Sequence, residues 1–99
     1  MENEFICDML DCYEGLLTDN QRQIMTDYYR YDTSLNEIAE NLGISKQGVK
    51  DTRDKALQKL NRLEACLGLA RKKREWRGLR AEVTNKDVLD FVDNIFSGE

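Results

Sequence analysis

The sequence predicts an all-α protein: one helical domain over residues 1–99, with a helix-turn-helix at 34–60, a long recognition helix and an amphipathic C-terminal helix at 84–96. Three observations carry that expectation. Proline is absent from the 99 residues. Apolar positions recur at helical spacing almost throughout, and strand-like alternation is missing. Residues 34–49 read as a short helix, a sharp glycine turn and the opening of a second helix.

Taken in order, residues 3–16 place Phe5, Ile6, Met9, Leu10, Tyr13 and Leu16 on one face, as a first helix needs. Gly15 and the Leu16-Leu17 pair end it. Thr18 opens a second helix with Gln21 at the capping-box position, so each side chain can satisfy the other's backbone N–H. Ile24, Met25, Tyr28 and Tyr29 face inward, and the pattern fades by Tyr31.

The helix-turn-helix follows. Ser34 is placed to cap its first helix, with Glu37 at the reciprocal box position, and Ser45 to cap the second. Gly43 stands where the turn favours positive φ. Ala39 is small where two steeply crossed helices come closest, and Ile38, Leu42, Ile44 and Val49 supply the locking contacts. The helix opening at Lys46 is long. Val49, Ala56, Leu60, Leu63, Leu67 and Ala70 follow spacings of seven, four and three, with Arg53 the one polar residue in the series. Continuous to Ala70 it would span roughly 38 Å; Gly68 costs a helix up to about 1 kcal/mol, which favours an end at Leu67. Either length overhangs a compact domain whose radius of gyration would be about 13 Å. The distal stretch around Leu60, Leu63 and Leu67 therefore needs cover from the C-terminal helix, a second copy or another partner.

A Thr84 cap starts the last helix, whose Val88, Leu89, Phe91, Val92, Ile95 and Phe96 form a wide apolar face. It either folds back on the overhanging helix or docks on a partner or dimer mate.

The net charge of −4 hides segregation. Residues 1–45 hold ten acids and two bases, residues 46–80 twelve bases and four acids, and residues 81–99 five acids and one base. Overall acidity argues against indiscriminate nucleic-acid binding, while a basic middle third beginning at the recognition helix argues for a directed surface. Lys46, Gln47, Lys50 and Arg53 lie in the turns that would face a DNA groove. Asp51 and Asp54 share that region and repel phosphate, unless one accepts from cytosine or both pair with neighbouring bases. A second basic segment, residues 71–80, sets Arg71, Lys72, Lys73 and Arg74 beside Trp76. It suits RNA, because tryptophan can stack on an unpaired base; a solvated helix end with Trp76 tucked onto the core is the plainer alternative.

The same composition narrows the function classes. Histidine is absent, so the commonest general base is missing, and no GxxxxGK[ST] or GxGxxG cradle occurs. Cys7, Cys12 and Cys66 lack metal-ligand spacing and read as buried thiols in a reducing compartment, with no metal and no disulfide. Without a membrane-length apolar run or a basic leader, a cytoplasmic, membrane-free location is expected. The chain reads as a non-enzyme without cofactor.

Leu17-Thr18 followed by Gln21, then Tyr28-Tyr29, Ser34-Leu35, Glu37-Ile38-Ala39, Gly43-Ile44-Ser45, Gln47, Val49, Lys55-Ala56-Leu57 and Lys59-Leu60, resembles region four of bacterial sigma factors. With Tyr13 before Leu16-Leu17-Thr18, Asp51 in the recognition helix, and Leu63-Glu64 through Leu67 and Leu69, the chain is similar to the YlxM family of small sigma-like proteins over residues 5–69. The resemblance implies a dimeric, helical DNA- or RNA-binding protein linked to the signal recognition particle pathway and acting with the particle's GTPase. It matches Lys46, Gln47 and Lys50 to positions that touch nucleic acid. Thr52 replaces a usual bulky aliphatic, and Arg53 and Asp54 depart from the sigma pattern.

Overall fold

Six helices follow one another in a computed structural model that describes residues 3–97, and no strand occurs among those residues. Helix α1 is Asn3–Tyr13, closed by a 3-10 turn at Glu14–Leu16. Helix α2, Asp19–Met25, starts at the Thr18 cap with both hydrogen bonds of the capping box in place. It then widens into a π turn over Thr26–Arg30, where the Tyr31 N–H reaches back to the Thr26 carbonyl at 3.2 Å. Asp32 turns the chain with φ 53°, a left-handed conformation that aspartate tolerates better than most residues.

Ser34 caps helix α3, Leu35–Leu42, through the Glu37 N–H; the expected return bond from the Glu37 side chain is not formed. Gly43 ends α3 at φ 68°, its N–H bonded to the Ala39 and Glu40 carbonyls. Ser45 then caps helix α4, Lys46–Leu67, by accepting from the Gly48 N–H at 3.0 Å.

Gly68, at φ 64°, stops α4 and begins helix α5, Leu69–Leu79. The sequence offered two ends for the long helix, and the shorter is the one found. Gly68 has no side chain with which to cap α5, and Glu64 from the last turn of α4 and the distant Tyr13 replace it. Glu64 accepts from the Ala70 and Arg71 N–H groups at 3.0 and 3.1 Å, and the Tyr13 hydroxyl accepts from the Leu69 N–H at 3.0 Å. The same hydroxyl donates to Glu64 at 2.7 Å. Burial and the adjacent carboxylate push the Tyr13 phenol up to about 12. Helix α6, Lys86–Ser97, is capped by Asn85 instead of the expected Thr84: its carboxamide oxygen accepts from the Asp87 and Val88 N–H groups.

Two apolar clusters hold the helices. Ile6, Met9, Leu10 and Tyr13 of α1 pack with Met25, Ala56, Leu60 and Ala70. Ile24, Ile38, Ala39 and Val49 form the second, flanked by Tyr28, Leu35 and Leu42. Adjacent residues Ile24 and Met25 join different clusters, because successive helical side chains diverge by about 100°. Thus α2 is the wedge between the two halves.

This arrangement corrects several expectations. The first helix, α1, covers the distal part of α4; α6 does not. Leu60 is wholly buried in that contact and Leu63 packs against it, so neither offers a free partner surface, whereas Leu67 remains 49% exposed. Leu16 and Ile44, expected inside, are exposed, as is Cys66 among the supposedly buried thiols. The molecule measures 51 × 24 × 22 Å, with a radius of gyration of 15.7 Å. That exceeds the compact value of about 13 Å.

Candidate nucleic-acid interface

The exposed turn of the helix-turn-helix is built by backbone chemistry before any charge is considered. The left-handed residue Gly43 reverses the chain, and Ile44 bonds back to the Ala39 carbonyl at 3.1 Å. Ser45 fixes where α4 begins, and Val49, one turn later, is fully buried against Ile38 and Ala39. Those constraints leave Lys46 and Gln47 outside, with Lys50 half-buried at the edge. Gly48 is inserted close to the cap: a Cβ there would meet the Ser45 hydroxyl at 3.2 Å.

The four residues expected at this surface do not behave alike. Lys46 and Lys50 make no ion pair among the described residues. The Gln47 carboxamide donates to Asp51 at 3.0 Å, so it approaches a ligand already engaged. Arg53 turns inward. Its guanidinium lies 5.0 Å from the Tyr28 ring centre and donates twice to Asp54, and only 18% of its side chain is exposed. Burial works against its charge, yet the Asp54 hydrogen bonds more than compensate and raise its pKa. Arg53 therefore braces α4 on the π turn of α2 and is withdrawn from the groove-facing set. Asp51 and Asp54 remain on the outward ridge.

Residues 71–80 are more changed from expectation. Helix α5 lies along α1 and its bases meet α1's acids. Lys73 bonds Asp11 at 2.8 Å; Arg74 reaches Asp8 at 3.3 Å and Glu4 at 3.8 Å; Arg77 donates to Asp8. Arg74 also sits 5.2 Å from the Phe5 ring centre. Asp8 is only 4% exposed, and its two arginines supply the ion pairs a buried carboxylate needs. Burial pushes the Asp11 carboxyl up, but hydrogen bonds from Lys73 and Arg30 outweigh it and leave the pKa lowered. Lys73 and Arg74 are thus committed inside the fold, and only Arg71 and Lys72 of the four expected bases stay exposed at the α4–α5 bend. Trp76 is half-buried and donates its indole N–H to Asp93 of α6 at 2.8 Å.

Sequence reasoning passed over Lys55 and Arg62. Both are exposed on α4, seven residues apart on one face, and unpaired among the described residues. That spacing was the available signal. At about 100° per residue they lie some 180° and 160° round α4 from Lys46, on the other side of the ridge that carries Asp51 and Asp54. The positive charge of the groove-facing turns therefore comes from Lys46 and Lys50.

Comparison with known proteins agrees with this architecture. The family model for helix-turn-helix proteins of the YlxM / p13 like type, UPF0122, matches residues 2–94. It carries the likeness past Leu69, where the sequence resemblance stopped, through α5 and most of α6. A UPF0122 protein of Thermoanaerobacter sp. strain X514 is 46% identical over 77 residues, covering 76% of this chain and 66% of the relative. The chain thus spans just under two thirds of that relative's length. A UPF0122 protein of Clostridium kluyveri is 36% identical over 89 residues, covering 90% of this chain and 76% of the relative. One of Listeria innocua is 35% identical over 86 residues, covering 83% and 78%.

Proposed function

Given that the chain belongs to the UPF0122 family of YlxM / p13-like helix-turn-helix proteins, we propose that it is a non-catalytic nucleic-acid-binding protein that reads duplex DNA through the first turns of α4. The observation that supports this reading is the exposure of Lys46 and Gln47, beside Lys50, on a turn fixed by Gly43, Ser45 and buried Val49. Lys46 and Lys50 contact phosphates or base edges, and Gln47 a base edge. By resemblance to the YlxM proteins, the reading extends to a cytoplasmic, homodimeric regulator of the signal recognition particle pathway. No helix among the described residues is long and apolar enough to cross a membrane.

The test is fluorescence anisotropy with labelled duplex DNA across a salt series. Lys46→Ala with Lys50→Ala is expected to weaken binding and to lower the log–log salt slope by roughly 2, one counterion per lost phosphate contact. Unchanged affinity and slope would remove α4 from the interface.

Asp51 and Asp54 on the outward ridge favour a second reading, in which the same scaffold docks on the particle's GTPase without DNA. Recovery of that GTPase from lysate after nuclease treatment, by the Lys46→Ala/Lys50→Ala variant as well, would favour docking over duplex reading.

A further inference from the structure

The apolar arc of α6 is wider than its contact with the rest of the chain. Leu89, Val92 and Phe96 are half-buried, and Phe96 adjoins Lys73 and Trp76 of α5. The adjoining stripe, Val88, Phe91 and Ile95, stands outside at 45%, 69% and 60% exposure. At about 100° per residue the two stripes together cover roughly 160° of the helix, and α5 occupies only one side of it. Ile95 and Phe96 also border Cys12 of α1 and Leu69 of α5, and the polar part of the hold is centred on Asp93, which accepts from Trp76 at 2.8 Å and Arg80 at 2.7 Å. Three large apolar side chains in a row on one exposed helix face mark an interaction surface.

A surface of opposite charge lies elsewhere on the same chain. Where α4 meets α5, a groove of about 690 Å³ has Phe5, Ala65, Cys66 and Leu67 along it and Arg71 and Lys72 at its rim. Its one acid, Glu64, already accepts from Tyr13, Ala70 and Arg71. We infer that the outer stripe of α6 seats in the α4–α5 groove of a second copy, and that the contact is repeated about a two-fold axis. This rests on the homodimer reading above and names the surfaces that make it.

Charge selects this pairing over the alternatives. Asp87 borders the outer stripe on its Phe91 side, with Asp90 farther round on that side, and both would meet Arg71 and Lys72 across the groove, whereas pairing α6 with α6 would set aspartates against aspartates. Area points the same way. One face of a 12-residue helix, about 18 Å long, falls short of the roughly 800 Å² per partner of a stable interface. Two reciprocal contacts double it, and the closed two-fold arrangement leaves neither stripe uncovered.

Sedimentation velocity on the full chain tests the proposal. The unaltered protein is expected to be a dimer. Phe91→Asp with Ile95→Asp, at exposed positions, should raise the dissociation constant at least tenfold with an unchanged helical circular-dichroism signal. Arg71→Glu with Lys72→Glu should do the same, and combining it with Asp87→Lys and Asp90→Lys should bring the constant back to within about threefold. A dimer indifferent to the Phe91 and Ile95 changes would overturn this interface and leave the homodimer reading standing. Loss of the dimer without charge-reversal rescue would put another surface opposite α6 and overturn the pairing. A chain monomeric at every concentration would overturn both.

Discussion

Helices α3 and α5 are both short and both docked on larger neighbours, yet different forces hold them. Helix α3 sits on an apolar cluster: Ile38 is fully buried, and its ends are closed by Ser34 and Gly43 from its own sequence. Helix α5 buries a single alanine, Ala70. Its first N–H groups are capped by Tyr13 and Glu64, and its bases are gripped by Asp8 and Asp11 of α1. The difference teaches which parts of a small helical protein are specified locally. A helix held by its own apolar stripe carries its instructions with it, while a helix held by charge depends on residues more than sixty positions away.

The largest single effect should fall on the apolar side of this comparison. Ile38→Ala is expected to cost about 3 kcal/mol in chemical denaturation, from lost transfer energy and the cavity left beside Val49. On the charged side, Asp8→Asn should cost about 1–2 kcal/mol, less than breaking a fully buried pair, because Arg74 and Arg77 keep 36% and 51% exposure. Equal costs for the two variants would erase the distinction between α3 and α5.

Gly43→Ala separates backbone from packing. The added Cβ would meet nothing within 4 Å, so its cost of about 1 kcal/mol comes from the left-handed conformation alone. A cost near zero in the same denaturation series would mean that the turn relaxes, and that α3 owes its placement to Ile38 only.

The smallest effect is a pH dependence at the contacts that hold α5 and α6. Asp11 and Asp93 both have lowered pKa values; for Asp93 the causes are hydrogen bonds from Arg80 and Trp76. Their contributions are therefore complete above the ordinary carboxylate value and fade as pH falls through the lowered one. Trp76, the single tryptophan, bonds directly to Asp93 and reports on this contact. Its fluorescence should begin to change below about pH 4, before far-ultraviolet circular dichroism registers loss of α3 and α4. Simultaneous changes would show that one cooperative unit covers both regions.

The same contrast explains what could be read in the sequence. The start of α2, both ends of α3 and the start of α4 were legible because Thr18, Ser34, Gly43 and Ser45 act on N–H and C=O groups within three or four residues of themselves. The break at Gly68 was half legible: the glycine was visible, but the caps that make it a bend come from Tyr13 and Glu64. Periodicity put Leu60 and Leu63 on the right face without saying that α1 covers it. Arg53 shared the recognition turns with Lys50, and only the position of the Tyr28 ring shows it turned inward. At the candidate interface, residue type identified the bases, and three-dimensional pairing decided which of them face outward. Lys73 and Arg74 could not be told from Arg71 and Lys72 by sequence, since the carboxylates that separate them belong to α1.

Helix α4 runs unbroken for 22 residues, with Lys46 at one end and Leu67 at the other. Over that length it acts as a ruler of about 32 Å, with no joint along which a displacement can dissipate. Whatever seats against Leu67 consequently sets the tilt of the turn that carries Lys46. If two protomers join near their Leu67 ends, the separation of their Lys46 turns follows from the angle between two stiff struts, and changing that angle would alter the stride between paired half-sites without touching a single contacting side chain.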